Sequence, residues 1–144
     1  MTIRSLRSAP RHSSIGFRHP VRAAIGDRFG PRGNAFHTGV DFTAWYGATV
    51  RAGARGRVTR AGWNSGGYGY LVTLQHRRGV TSLYAHLSHI LVRRGQWISA
   101  GTRLGRVGAT GHATGPHLHF EVRLRGAAVD PITALRLPGP ANTE

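Results

Sequence analysis

Residues 114–122 read TGPHLHFEV, and this stretch decides the fold. In a β-strand, alternate residues face the same side of the sheet. Leu118 and Phe120 then point to one face, while His117 and His119 point to the other. With a rise of ~3.3 Å per residue, the two histidine Cα atoms lie ~6.6 Å apart, close enough for their rings to converge on one small site. An HxH pair on its own also occurs as two solvated strand histidines, so this motif needs support from elsewhere in the chain.

The same β-type pattern continues on both sides of this stretch, from Val21 onward. Runs rich in Val, Leu, Thr and aromatic residues are separated by glycine-containing turns. The predicted strands cover residues 58–63, 70–75, 80–86, 104–107 and 118–124. Residues 87–92 (LSHILV) are predicted to form a single helical turn, and no stretch sustains a 3.6-residue period. We therefore predict an all-β domain whose antiparallel sheets form a twisted sandwich or partly rolled barrel, with an open groove and little helix.

The length of 144 residues suits one domain. We expect a flexible basic arm over residues 1–19, the folded domain over 20–136 and a frayed tail over 137–144. There is no apolar run of ~18 residues, so no membrane span is predicted. The amino terminus lacks the apolar segment of a secretory signal. We expect either that a signal has been removed or that phage delivery or lysis brings the protein to its target.

The composition restricts both the metal chemistry and the partners. Cysteine is absent, so a bound metal must rely on His and carboxylate ligands. The formal charge is +15, and all 20 basic residues are arginine. Arginine in place of lysine is typical of a GC-rich coding bias, but only five acidic residues are present, so the excess charge needs another reason. Such a surface attracts nucleic acid, anionic lipid or anionic cell-wall polymer.

A second motif, His37-Thr-Gly-Val-Asp41, offers two more metal-binding side chains. In a regular strand their Cα atoms would lie about 13 Å apart, which is too far to share one ion. Gly39 midway allows a kink or bulge that directs both side chains to one point. By itself the motif is as compatible with chance as with function.

A third motif, Tyr84-Ala-His86, places a phenol and an imidazole two residues apart on a predicted strand. The two side chains are expected to share a face, although an ordinary cross-strand aromatic pair has the same pattern.

Taken together, the motifs supply two histidines and one aspartate, the type of ligand set that leaves a fourth metal position open for water. Such an ion lowers the pKa of its water and polarises a carbonyl group. His86 and His117 are then available for proton transfer and oxyanion stabilisation.

At these residues the sequence resembles the lysostaphin-like (LytM-type) zinc metallopeptidases, which have the duplicated hybrid motif fold and hydrolyse peptide cross-links in peptidoglycan. The resemblance covers residues 20–133. Its segments are RFGPR at 28–32, FHTGVDF at 36–42, AGWNSGGYG at 61–69, YAHLS at 84–88 and TGPHLHFEV at 114–122. It implies one Zn²⁺ per chain, held by His37, Asp41 and His119, with His86 and His117 as the catalytic pair. Which of those two is the base stays open.

Four further residues are candidates for substrate contacts or for supporting the site. Arg32 either holds substrate or braces the loop that leads to His37. Some family members carry a tyrosine upstream of the first zinc histidine, which residues 27–36 lack, and Tyr84 or a backbone amide is a candidate to replace it. Glu121 has the strand parity of the two histidines, so it either orients one of them or forms an ordinary salt bridge. His112 is expected in a loop at the rim of the groove.

The resemblance implies peptidoglycan stem and cross-bridge peptides as substrate, and it leaves both Gly–Gly and D-Ala–diaminopimelate bonds open. We expect a monomer that acts in the periplasm, in the cell wall or outside the cell, with its arginines drawn to anionic wall polymers. One alternative is a non-catalytic wall-binding or amidase-activating module of the same fold. Another is a polyanion-binding protein, but the sequence has no known nucleic-acid-binding motif, so only nonspecific binding is expected.

Overall fold

The computed structural model describes residues 15–135, which are built almost entirely from antiparallel strands. Within this range the twelve strands are β1 (Ala24–Ile25), β2 (Gly30–Arg32), β3 (Ala35–His37), β4 (Val40–Thr43), β5 (Thr49–Arg51), β6 (Gly56–Asn64), β7 (Gly69–Gln75), β8 (Val80–Ile90), β9 (Trp97–Ile98), β10 (Arg103–Val107), β11 (Leu118–Leu124) and β12 (Ala127–Val129). Two single-turn 3-10 helices lie at Arg77–Gly79 and Pro131–Thr133.

Ten of these strands form one branched sheet in the order β1-β4-β11-β8-β7-β6-β9. The long strand β8 is the branch point, because it also pairs with β10, which in turn carries β5. Strand β12 extends the sheet beside β11, while β2 and β3 form a separate hairpin. The all-β, antiparallel prediction is confirmed, and the sheets stay open instead of closing into a barrel.

All five predicted strands are present, each extended by a few residues at most. The predicted helical turn over 87–92 is wrong, because strand β8 continues to Ile90. Its last residues pair with β10, with Ile90 opposite Gly105. The apolar side chains of this run are used by the sheet: Leu87 is fully buried in the core.

Alternate side chains of strand β11 lie on opposite faces of the sheet. Phe120 lies opposite Tyr84 on β8 and opposite Val40 on β4, and all three are fully buried in the main core. His119 lies opposite Ala85 and Asp41 and therefore faces the other side. Each large apolar side chain buried in this core contributes roughly 1.5–3 kcal/mol to folding. The core thus fixes strand β11, and with it the direction in which His119 points.

The packed unit includes residues before position 20. Phe17 is buried against Phe120, and its N–H donates to the carbonyl of Ala134 (2.8 Å). Arg18 N–H donates to the carbonyl of Gly53 (2.9 Å). Residues 1–14 of the predicted arm and the predicted tail at 137–144 lie outside the described residues. Between residues 15 and 135, no helix is long and apolar enough to cross a membrane.

The predicted bend between His37 and Asp41 is confirmed, since β3 ends at His37 and β4 begins at Val40. The reason for the glycine is close packing of the chain over β11. A Cβ at position 39 would collide with the Phe120 carbonyl oxygen and would lie 2.9 Å from Glu121 Cγ. The missing side chain allows the turn to lie directly against the strand that carries His119.

We expect Gly39→Ala to destabilise the protein and to weaken metal binding. The added methyl group has to push β11 away, and overpacking of this kind costs about 1–3 kcal/mol. Denaturant titration measures the loss, and a zinc-binding titration measures the effect on the site. Gly62→Ala is the matched control, because a Cβ there meets no atom within 4 Å. Equal stability of the two variants would contradict this account of Gly39.

Candidate metal centre

One carboxylate oxygen, Asp41 Oδ1, is the centre of a histidine cluster. It lies 2.9 Å from His119 Nδ1, 3.3 Å from His37 Nε2 and 3.7 Å from His117 Nε2. Asp41 and His119 are direct partners across β4 and β11, and the bend at Gly39 brings His37 to the same point. The ligand atoms of His37, Asp41 and His119 all lie within 4.8 Å of one another. The structure thus brings together the three predicted ligands.

In three of the imidazoles, a hydrogen bond to the backbone fixes which ring nitrogen carries a proton. In each, Nδ1 lies within hydrogen-bond distance of a carbonyl oxygen: His37 to Arg28 at 2.9 Å, His86 to Thr110 at 2.7 Å and His117 to Gly115 at 2.9 Å. A carbonyl oxygen only accepts, so Nδ1 donates its proton there and Nε2 is the nitrogen left to bind a metal. In His37 and His117 this Nε2 faces Asp41.

His119 has the opposite arrangement. Its Nε2 lies 2.8 Å from Glu121 Oε2, so this nitrogen donates to the carboxylate and Nδ1 is left to face Asp41. Glu121 is fully buried, and it also accepts from the Thr38 hydroxyl (2.7 Å) and the Tyr68 hydroxyl (2.7 Å). This is how a carboxylate typically fixes the ring of a metal-binding histidine. The contact expected from the strand parity of Glu121 is therefore present.

The electrostatics of the cluster favour a cation. Burial alone would raise the pKa of Glu121, but hydrogen bonds from His119, Thr38 and Tyr68 outweigh it and lower the pKa to about 2. Burial also opposes ionisation of Asp41, yet the hydrogen bond and charge of His119 lower its pKa. Both carboxylates are therefore ionised at neutral pH. One buried and one half-buried negative charge, beside the imidazole rings that face them, suit a divalent metal ion.

His86 reaches the cluster because of an unusual backbone conformation. Its φ is +64°, in the left-handed region that non-glycine residues rarely adopt. Strand alternation would point His86 to the core side together with Tyr84, but this conformation turns its ring toward the polar face. The ring centroid lies 4.8 Å from that of His117 and 5.9 Å from that of His119. One adjoining loop holds it there, since Thr110 accepts from His86 through its carbonyl and donates to Leu87 O through its hydroxyl (2.7 Å).

The expectation that Tyr84 and His86 share a face is therefore wrong, and the structure does not bring Tyr84 to the cluster. Tyr84 is fully buried on the core side, where its hydroxyl oxygen accepts from Gly53 N–H (3.0 Å) and lies 2.9 Å from Ser82 Oγ. Any contribution of Tyr84 to the site has to act through the packing of β8.

Two other candidates form their contacts with residues outside the cluster, and one residue of the site was missed. Arg32 forms an ion pair with Asp27, and both side chains are exposed. His112 is exposed in a loop, with its N–H donating to Gly67 O (2.9 Å). Tyr68, which binds Glu121, was not among the candidates, because it lies in a glycine-rich loop where strand parity gives no direction.

The residues present fit zinc. The ligand set is two nitrogens and one oxygen, without cysteine, as in sites that leave one position open. Zn–N and Zn–O bonds of about 2.0–2.2 Å place neighbouring ligand atoms roughly 3.3 Å apart in a tetrahedron. The separations of 2.9 Å and 3.3 Å from Asp41 Oδ1 to His119 and His37 lie near this value. The fold and the site together define a His/Asp metal centre at the open face of a β-sheet.

The chain belongs to peptidase family M23, a family of metallopeptidases, whose sequence profile matches residues 35–131. It is 45% identical over 108 residues to the DD-carboxypeptidase/endopeptidase Mpg of Neisseria meningitidis, covering 75% of this chain and 24% of that protein. It is 39% identical over 118 residues to the peptidoglycan DD-endopeptidase ShyA of Vibrio cholerae, covering 81% of this chain and 25% of that protein. The chain thus spans about a quarter of the length of the curated relatives it matches.

Among solved structures, the catalytic domain of the antimicrobial peptidase lysostaphin from Staphylococcus simulans has a TM-score of 0.74 and 34% sequence identity. The match covers 80% of this chain and 93% of that domain. The similarity therefore extends over nearly the whole of an isolated peptidase domain.

We expect Glu121→Gln to weaken zinc binding about 10–100-fold, the usual effect of losing a carboxylate that supports a metal-binding histidine. The amide removes the negative charge. Its NH₂ group then has to face either Arg123, which donates to Glu121 Oε1 (2.7 Å) in the wild type, or His119. Competition with a chromophoric chelator measures the affinity. Asp27→Asn removes an exposed carboxylate that is also paired with an arginine, and its zinc affinity should match the wild type. Similar affinities for both variants would show that Glu121 does not support the site.

Proposed function

We propose that this chain is a zinc-dependent endopeptidase that hydrolyses peptide cross-links in bacterial peptidoglycan. The observation that carries the proposal is the convergence of His37, His117 and His119 on the Asp41 carboxylate, with one nitrogen of each ring facing Asp41 Oδ1. Membership in a metallopeptidase family supports the reaction type. The substrate is supported by the relative named as a peptidoglycan DD-endopeptidase.

In this proposal His37, Asp41 and His119 hold one Zn²⁺. When bound, the ion supplies a Lewis acid that polarises the scissile carbonyl and makes a water more acidic. The protein orients the ligands. Arg28 O fixes the ring of His37 and Glu121 fixes that of His119, while the Gly39 bend positions Asp41. Because these groups are in place before substrate arrives, little reorganisation is needed.

His86 and His117 move the protons. Each ring has its Nδ1 proton bound to a backbone carbonyl, so Nε2 is the atom available to accept a proton. Burial lowers the pKa of His86, which keeps this ring neutral and able to act as a base at neutral pH. The ring that accepts a proton from the attacking water becomes a donor, and it can pass that proton to the leaving amine. The adjacent ring stabilises the developing oxyanion when it also carries a proton at Nε2, since only an N–H can donate to that oxygen.

The substrate peptide lies across the open face of the sheet that carries the cluster. Beneath this face lies a small buried apolar cluster of Leu71, Leu83 and Ala85, with Tyr68 packed against it. Ala85 is the cross-strand partner of His119, so the cluster supports the strands that carry the site. The substrate also places the action of the protein outside the cytoplasm, in the periplasm, in the wall or beyond the cell.

Metal removal tests the proposal. Purified peptidoglycan with glycine bridges and peptidoglycan with direct diaminopimelate cross-links are each incubated with the chain, and the soluble products are identified by mass spectrometry. We expect new amino termini from one wall type, complete loss of cleavage with a zinc chelator, and recovery with Zn²⁺ but not Mg²⁺. Wall solubilisation that persists in chelator without new amino termini would favour the non-catalytic module instead.

A further inference from the structure

A second concave surface lies at the opposite end of strands β7 and β8 from the metal centre. The centre adjoins Tyr68 and His86, whereas this cleft adjoins Gln75 and Arg77. Strand β7 separates the two over about 20 Å, given a rise of ~3.3 Å per residue. The cleft has a volume of about 470 Å³, and its polar lining includes Arg18, Arg55, Gln75, His76, Arg77 and Trp97. No residue of the metal centre contributes to it.

The cleft is cationic. Among the described residues, three arginines line the cleft and no carboxylate does. Arg55 is held over the indole ring of Trp97, with Cζ 5.3 Å from the ring centroid. This stacking restrains the guanidinium without neutralising it, so its N–H donors stay available to an anion. Trp97 is itself 64% exposed, which leaves an aromatic surface at the rim.

The floor of the cleft is rigid. His76 is buried, and its Nδ1–H donates to the carbonyl of Arg55 (2.6 Å), while its Nε2 lies 2.8 Å from Ser82 Oγ. Ser82 in turn contacts the buried hydroxyl of Tyr84, which accepts from Gly53 N–H. This chain of hydrogen bonds fixes the loop that carries Arg55 to the centre of strand β8. The cleft is therefore a preformed site, not a gap between mobile loops.

We propose that this cleft binds carboxylates of peptidoglycan stem peptides other than the one being cut. The inference rests on the proposed function, and it deepens it by giving the enzyme a second contact with its polymeric substrate. Stem peptides carry several carboxylates, and guanidinium groups pair with carboxylates through two parallel hydrogen bonds. Once one contact is made to the wall, the other forms at a high effective concentration.

The test is cosedimentation of the full chain with purified peptidoglycan from which phosphate-containing polymers have been removed. A zinc chelator prevents digestion during the measurement. We expect the double variant Arg18→Gln/Arg55→Gln to bind at least about tenfold more weakly than wild type, as loss of charge-assisted hydrogen bonds implies. The matched control is Arg60→Gln/Arg94→Gln, which removes the same charge from exposed positions outside the cleft and should bind within about threefold of wild type. Unfolding temperatures verify that both variants are folded.

Three further arms identify the ligand. Peptidoglycan whose carboxylates have been converted to amides should no longer bind wild type. Unchanged binding to the amidated wall, or equal loss in the two double variants, would overturn the proposal. If the protein binds an amidated, phosphate-bearing wall and the cleft variant does not, the cleft binds phosphate. If duplex DNA competes equally well, the cleft is a general polyanion site. Either result refutes the carboxylate assignment.

Failure of the proposed function gives a different result. In that case carboxylate-dependent cosedimentation persists while zinc-dependent cleavage is absent. If both proposals hold, cleavage of a small soluble cross-linked peptide should be the same in the cleft variant and the wild type, because such a substrate does not reach the cleft.

Discussion

Replacing Asp41 by alanine is expected to abolish both zinc retention and peptidoglycan cleavage. The Asp41 carboxylate contacts three of the histidines and is the only acidic ligand in the set. Its loss removes one of three metal ligands and the negative charge that offsets the ion. Loss of a residue that only supports a metal ligand already lowers affinity by up to about 100-fold. Because Asp41 is itself a ligand, we expect zinc affinity to fall by more than that. Zinc content after dialysis and the release of soluble peptides measure the two effects.

Asp27→Ala is the control for that experiment, because the Asp27 side chain is exposed and paired with Arg32, and the substitution keeps the backbone carbonyl that accepts from Asp41 N–H (2.9 Å). Near-ultraviolet circular dichroism should show that Asp41→Ala keeps its packed core, since Asp41 lies on the polar face of β4. An Asp41→Ala variant that retains zinc and full activity would refute the ligand assignment.

The second large effect is expected for His86→Asn. We expect cleavage to fall about 10²–10⁴-fold, the usual contribution of a positioned acid or base, while zinc affinity stays near that of wild type. Asparagine is chosen because it tolerates the left-handed backbone of this position better than alanine does. The comparison of cleavage rate with zinc affinity separates a proton-transfer role from a ligand role.

His89→Asn on the same strand is the matched control, since His89 is exposed and contacts only Ser88 through its ring. This variant should cleave at the wild-type rate. Loss of zinc in His86→Asn would instead make His86 a ligand, and an unchanged rate would remove it from the mechanism.

Much of the fold follows from local sequence because strand alternation is a local property. Leu118 and Phe120 in the core and His119 on the other face were predictable from three adjacent residues. The end of β8 was not, because its apolar residues become a strand only through pairing with β10, which is distant in the chain. The short strands, such as β1 with two residues, depend on their partners for the same reason.

The site was predictable as a set of residues but not in its geometry. Gly39 indicated the bend, since only a bend lets His37 and Asp41 converge. The direction of His86 was not readable, because a positive φ at a non-glycine residue is imposed by the surrounding fold. Tyr84 followed strand alternation into the core, so its predicted association with His86 failed. The contact of Tyr68 with Glu121 joins residues 53 positions apart, which no local pattern indicates.

The position of His37 has a consequence for local unfolding of the protein. His37 ends the β2–β3 hairpin, which forms no ladder with the main sheet, whereas Asp41 and His119 belong to that sheet. An ion bound by all three residues links the hairpin to the main sheet, and the link is lost when the ion is removed. At a zinc concentration 100 times the Kd, such a link adds about 2.7 kcal/mol against opening. Under metal starvation we expect the hairpin, with its exposed turn at Gly33, to exchange its amide protons and to be cut by a protease before the strands of the main sheet.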